Sequence, residues 1–418
     1  MGLLTLDSPT RLRGVVIPLM RKAVLAGVLG AALFAPLTAR AQDAAAGRTL
    51  AAQARLTTTL VDRLQPTGKE NAIVSPAGIA AVLALLDLGT SSGFREAAHT
   101  VLGYDNDRPA DTDFENLRDQ IVTIDHLAGN PGTTFSFANA AVFDPKLNAN
   151  PDVIARMRQS RAEVSVLPLA DHATVNAIND WVASKTNNLI PQIVNDSIAD
   201  AGLIALNALY FKDDWAVSFN KAQTQLAAFR DSAGGVSDVP MMHGAMNMPF
   251  RAAGRFAAVD LRYKSGRFSL TLVTTRDAPA SFAEFAGVTN WLSGDEFELT
   301  SLNVTMPRFT LRQSMDVLPA LDAAGLSTAR HDRGAFAPIT SNVLDISAIL
   351  QKVYVAINEQ GTEAAAATSV MVRAASIAPT RSDAITLDKP FIFALRDNVT
   401  GLILLSGYIG KVPTEPTQ

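Results

Sequence analysis

The 418-residue chain reads as a single α+β domain, and three observations predict it. Hydrophobic residues make up 48% of the chain, enough to bury a large core and too many for a disordered protein. No long Gly/Ser- or Pro-rich linker divides the sequence, and no internal repeat of about 20–50 residues is present. Helical periodicity dominates the first half, and short apolar strand patterns come after it.

The elements can be justified in order. Ser75-Pro76 is a helix start, because serine caps free amides and proline tolerates the first turn. Ile79, Val82, Leu83 and Leu86 continue that helix towards Gly89, a candidate left-handed stop. A second helix is expected through Val175, Ile178, Trp181, Val182 and Leu189, with Pro191 beyond it. The unbroken apolar run Leu203 to Phe211 suits a strand buried on both faces. Further strands are expected over Phe256–Tyr263, Ser269–Thr275 and Glu298–Thr310, the last interrupted by Pro307. A short helix is expected over Met315–Leu326.

Ahead of the domain lies a leader. Met20-Arg21-Lys22 is basic, Ala23 to Leu37 is apolar, and Ala39-Arg40-Ala41 supplies small residues at spacing that suits a secretory signal peptide. The apolar run, about 15 residues, is short of the roughly 20 that span a membrane. Translation is expected to start at Met20 and cleavage to fall between Ala41 and Gln42. Residues 1–41 are then the leader and 42–418 the domain. The whole chain carries 36 basic and 40 acidic residues, a net charge of −4. Removing the leader takes away five basic residues and one acidic one, which leaves −8. The expected product is an acidic, exported protein, extracellular or periplasmic, with no membrane attachment. An acidic chain also argues against a nucleic-acid partner, which would call for a basic face.

Catalytic signatures are sparse. Cysteine is absent, which excludes disulfides, thiolate metal sites and a cysteine nucleophile. His99, His126, His172, His243 and His331 form no HExxH and no close ligand pair, so no metal and no cofactor are expected. Gly89-Thr-Ser-Ser-Gly93 matches G-x-S-x-G, but a nucleophile elbow needs a strand before it, and here an Ala/Leu helix precedes it. A hydrolase built on Ser91 is therefore the lesser reading.

The C-terminal quarter carries the functional signal. By propensity alone Glu363-Ala-Ala-Ala-Ala367 would be a short helix. Set in Ile357-Asn-Glu-Gln-Gly-Thr-Glu-Ala-Ala-Ala-Ala-Thr368, it instead resembles the hinge of inhibitory serpins almost letter for letter. Asn71-Ala-Ile-Val-Ser75-Pro76 resembles the family's helix B start, and Ile178-Asn179-x-Trp181-Val182 with Thr186 and Ile190 resembles its helix F. Asn207-Ala-Leu-Tyr-Phe-Lys212, Trp215, Phe219, Thr224 and Phe229 resemble the third strand of sheet A and the segment after it. Val239-Pro-Met-Met242, Met306-Pro-Arg308 and Lys389-Pro-Phe-Ile-Phe393 fall in the family's order and spacing. The chain from about 55 to 412 is identified as a member of the serpin family, of a bacterial-type inhibitory kind.

That resemblance implies a serpin fold of three β-sheets and about eight or nine helices, with an exposed reactive-centre loop at about 359–385. It implies a monomeric suicide-substrate inhibitor that forms a covalent acyl complex with a serine protease, with a cysteine protease as a second class of target. The inhibitor supplies no catalytic group of its own. A non-inhibitory serpin serving as a binding or carrier module is the alternative. The implied hinge is Glu359, Gly361, Thr362, Glu363, Ala364, Ala365, Ala366, Ala367 and Thr368. Insertion of the cleaved loop as a strand requires one face without charge. If Thr362 faces inward, so do Ala364, Ala366, Thr368, Val370, Val372 and Ala374, none of them charged. Glu363 and Arg373 then face outward. A charge on the inward set would cost several kcal/mol.

Family spacing puts the scissile bond at Ala375-Ser376, which suits an elastase-like or subtilisin-like protease. A loop about four residues longer than usual leaves Arg373 and Ala374 as alternatives, Arg373 pointing to a trypsin-like target. The implied shutter is Ser75, Asn207 and Gln351, with Gly78 where a second serine is usual and Gln351 in place of a histidine. An amide there can both donate and accept, so weaker pH dependence of insertion is expected. The implied breach is Trp215, Arg308 and Glu359. An Arg308–Glu359 ion pair on the surface would be worth about 1 kcal/mol.

Overall fold

In a computed structural model the described residues are 23–65, 67–125, 133–160, 162–362 and 383–413, with side chains from residue 43 onward. The chain divides into two compact units, residues 1–44 and Ala45–Gln418. Helix α1 spans Ala23–Arg63, and within the larger unit it buries Leu56, Leu60 and Val61 in the core. No helix among the described residues is long and apolar enough to cross a membrane.

The next helices are α2 (Pro76–Asp87), α3 (Ser92–Val101), α4 (Ala110–Asp125), α5 (Pro151–Gln159) and α6 (His172–Lys185). Ser75 caps α2 by accepting from the Gly78 amide, and every residue of α2 is buried. A helix apolar on all sides belongs at a centre, and α2 packs on strands of both sheets described below. It ends in a right-handed cap at Leu88, not at a left-handed Gly89. Its buried Asp87 is held by Arg95 at 2.5 Å and Arg118 at 3.1 Å.

Fifteen described strands run β1 (Ala72–Val74), β2 (Thr134–Phe143), β3 (Glu163–Val166), β4 (Leu203–Asp214), β5 (Gln225–Arg230), β6 (Val236–Ala253), β7 (Phe256–Arg262), β8 (Phe268–Thr275), β9 (Glu298–Pro307), β10 (Phe309–Asp316), β11 (Ile346–Ile357), β12 (Gly361–Thr362), β13 (Asp383–Thr386), β14 (Phe391–Asp397) and β15 (Ile403–Ile409). Nine of them join in one hydrogen-bonded assembly, β1-β15-β14-β8-β7-β6-β9-β13, with β5 on β6. The long β6 ties its two parts together: its first residues pair with β5 and its last with β7. The other sheet has the order β10-β11-β12-β4-β2-β3, with β11 also pairing directly with β4.

Three expectations shift. The helical first half is interrupted by β2, whose Phe/Ala run carries no clean alternation, and by the four-residue β3. The Glu298–Thr310 stretch is two strands in different sheets, because Pro307 and Arg308 turn the chain between β9 and β10. The helix expected over Met315–Leu326 starts only at Leu318, since Met315 and Asp316 still pair with β11. The β4 expectation holds: its inner face lies on the main core, and its outer Ile204, Leu206 and Ala208 meet Val175, Ile178 and Val182 of α6.

Candidate functional site

The site lies where β11 and β4 part. From Ile346 to Val353 these strands pair in parallel with Leu203 to Leu209. Beyond that the gap opens, and β12 sits in it, antiparallel to both: Thr362 pairs with Ile357 of β11 and Asp213 of β4, and Gly361 with Asp214. The chain reverses between β11 and β12 in a turn pinned by Asn358. Its side-chain oxygen accepts from the Gln360 amide at 2.9 Å and the Gly361 amide at 3.3 Å, while its backbone amide donates to the Gly361 carbonyl at 3.0 Å.

Glycine at 361 is dictated by proximity, since a Cβ there would stand 2.1 Å from the Asp213 carbonyl oxygen. Thr362 is buried, and its hydroxyl lies 2.5 Å from that of Tyr263. Burial pushes the Tyr263 hydroxyl far above its ordinary range, so it stays neutral and keeps the bond at any physiological pH. Tyr263 stacks on Trp215, their ring centroids 4.5 Å apart. Trp215 in turn donates its indole N–H to the Asn358 carbonyl at 2.9 Å and its backbone amide to the Gln360 carbonyl at 2.7 Å. Burial also raises the pKa of neighbouring Asp213, against hydrogen bonds that include one from Thr133 at 3.0 Å.

Trp215, Arg308 and Glu359 are brought together at the rim of this gap. Arg308 reaches the Glu359 carboxylate at 3.5 Å, and the Thr224 hydroxyl donates to the same oxygen at 2.8 Å. Glu359 is not on the surface as expected: only 5% of it is exposed, because the Phe219 amide takes its carbonyl at 2.8 Å and folds the following segment over it. A buried carboxylate with one long ion pair depends on its partners more than an exposed one does.

Ser75, Asn207 and Gln351 also come together, below the gap and over the start of α2. Gln351 and Asn207 are register partners across β11 and β4, and Asn207 and Asn139 across β4 and β2. Gln351 accepts from the Ser75 amide at 2.7 Å and donates to the Ser75 carbonyl at 3.1 Å and to Asn207 at 3.4 Å. Asn207 passes the chain on to Asn139 at 2.9 Å. Three amides in a row thus stitch three strands without a titratable group.

Glu363, Ala364, Ala365, Ala366, Ala367, Thr368, Arg373, Ala374, Ala375 and Ser376 lie outside the described residues. Among the described residues no cluster of three or more His, Asp or Glu is arranged to hold a metal ion. Ser91 caps α3 by accepting from the Phe94 amide, with a helix before it instead of a strand, so the nucleophile-elbow geometry is not met.

Comparison with known proteins fits this architecture. Residues 51–412 match the serpin (serine protease inhibitor) family. The chain belongs to the serpin family. It is 27% identical to the leukocyte elastase inhibitor of Sus scrofa, over 82% of this chain and 93% of that protein. Serpin48 of the insect Tenebrio molitor superposes with a TM-score of 0.75 at 23% identity, covering 88% of this chain and 99% of that one. Human thyroxine-binding globulin, solved as a complex with its ligand, superposes with a TM-score of 0.78 at 19% identity, covering 88% and 100%.

Within this serpin the departures from the common pattern have physical reasons. At Gly78 a Cβ would come 2.0 Å from the Asn207 side-chain oxygen, so a serine there is incompatible with the amide row. Ser406, in the Leu405-Ser406-Gly407 stretch, is buried and donates to the Phe393 carbonyl at 2.6 Å, which satisfies its hydroxyl inside β15. Sequence reasoning missed Tyr263 and Asn139, and gave Asn358 and Thr224 only as motif residues without a partner. Tyr263, Asn139 and Thr224 act through partners more than 60 residues away, and Asn358 joins its own turn to Trp215.

Proposed function

We propose that this serpin is an irreversible suicide-substrate inhibitor of serine proteases, with a target of elastase-like or subtilisin-like specificity cut at Ala375-Ser376. The observation that carries the reading is the burial of Thr362 between β11 and β4. It supports the proposed phase: in a strand continuing from it, Ala364, Ala366, Thr368, Val370, Val372 and Ala374 would take the inward side, and Glu363 and Arg373 the outward one. The target's own serine attacks the scissile bond and forms the acyl-enzyme. The freed loop then zips in behind Thr362. Insertion replaces one parallel pairing by two antiparallel ones, which are the more stable per residue. The protease is carried with the loop and distorted before deacylation, so inhibition rests on kinetic rather than equilibrium stability.

The leader fits this role: residues 1–41 would export the inhibitor to the extracellular space or periplasm, as a monomer, where it meets secreted proteases. Incubation of residues 42–418 with elastase-like, subtilisin-like and trypsin-like proteases, followed by a denaturing gel and mass spectrometry, tests the proposal. A complex that survives denaturation and a released peptide starting at Ser376 are expected. Cleavage across the panel with full recovery of protease activity, and no change in the melting temperature of the cut chain, would favour the carrier reading instead.

A further inference from the structure

A cavity of about 410 Å³ opens beside the Trp215–Tyr263 stack, at the seam where β6, β7 and β9 meet. Its volume falls in the range of small-molecule sites, about 300–1,000 Å³. The walls are mostly apolar, formed by Val217, Met248, Pro249, Phe297 and Leu299, with the neutral amide of Asn247 among them. Two of these are unusually open for large hydrophobic residues, Leu299 at 75% and Val217 at 48% exposure. Apolar side chains left uncovered around a concavity mark a place where something else covers them.

The charge in the cavity is equally specific. Arg396 and Asp260 lie in its floor, both buried, and neutralise one another at 3.0 Å. Asp260 is further occupied by the Thr271 hydroxyl at 2.7 Å, and Arg396 by the Leu292 carbonyl at 3.2 Å. The nearby acids are also engaged: Glu296 by Arg251 at 2.6 Å and Asp295 by Ser293 at 2.7 Å. Strand alternation turns Glu298 away from the side that Leu299 presents. Arg262 remains. It lines the cavity, is exposed, and its guanidinium makes no hydrogen bond or ion pair among the described residues. An apolar chamber with one uncommitted guanidinium selects an apolar body with an anionic end, because guanidinium pairs with carboxylate in a planar fork.

We propose that this cavity is a binding site for a small amphipathic carboxylate, whose apolar body lies on Leu299, Val217 and Phe297 and whose carboxylate pairs with Arg262. The site does not depend on protease inhibition. It adjoins the Trp215–Tyr263 stack directly, since the Ala216 amide donates to the Arg262 carbonyl at 2.9 Å.

Calorimetric titration of the purified chain with sodium decanoate, below its micelle concentration, tests this, with decan-1-ol as the uncharged control. Saturable one-to-one binding of decanoate is expected, with binding weakened about tenfold or more by Arg262→Ala and for decan-1-ol alike. Leu299→Asp, on an exposed side chain that the fold does not need, should abolish it, while circular dichroism confirms folding of both variants. Absence of saturable decanoate binding, equal affinity for decanoate and decan-1-ol, or affinity unchanged in either variant would overturn the proposal.

Discussion

The two ends of the β11–β4 seam are built from different chemistry. Below, the strands are closed by a parallel ladder and by the neutral row Gln351, Asn207 and Asn139, the first two buried and the third half-buried. Above, they are already apart, and the gap is filled by the two residues of β12, held by an aromatic stack, a pair of hydroxyls and a half-buried ion pair. The lower region resists opening because each bond lost leaves a buried amide without a partner. The upper region has undergone that opening, and its backbone groups are satisfied by β12. Under the proposed mechanism, a seam that is started at one end and locked in the middle waits in the uninserted state with a defined place to begin.

Substitutions can break this contrast, and they rank by expected effect. Thr362→Arg forces a charge into the space beside Tyr263. It should turn the chain into a plain substrate, with trapped protease on a denaturing gel falling about a hundredfold or more. Gly361→Val meets the Asp213 carbonyl and should expel β12 from the seam, costing at least about 2 kcal/mol in thermal unfolding and exposing the Gly361 and Thr362 amides to hydrogen exchange. Asn207→Ala leaves Gln351 and Asn139 short of a partner, and should cost about 1–3 kcal/mol in denaturant unfolding without altering β12 protection.

The smallest effect concerns pH. Burial holds the Asp213 carboxyl above the usual carboxylate range, so the folded chain binds that proton more tightly than the unfolded one does. Its contribution is therefore favourable at low pH and is lost as pH rises from about 4 through the raised folded pKa. Asp213→Asn should remove that loss and flatten this part of the stability–pH curve, while keeping an acceptor for Thr133. A variant curve that tracks the parent through this range would contradict the assignment.

Much of this was legible in the sequence where a residue's role is set by its own neighbours along the chain. Ser75-Pro76 announces the cap of α2, and the run from Leu203 announces a strand buried on both faces. The amides and the breach residues were locatable only through the family's order of motifs. Tyr263 was not, because its hydroxyl matters through Thr362, 99 residues away, and its local context is an ordinary strand end. The burial of Glu359 was missed for the same reason: Phe219 and Thr224 cover it from across the fold. β2 escaped because an Ala/Phe-rich stretch paired on both edges and packed on both faces shows no period of two.

The central claim is that the seam accepts the loop as a new strand between β11 and β4. Its most direct test is the melting temperature of the purified chain before and after a single cut in the loop, with both fragments retained. The account predicts a clear rise on cleavage, since a parallel pairing is exchanged for two antiparallel ones and the start at Thr362 is already made. A transition that stays in place or falls would contradict it.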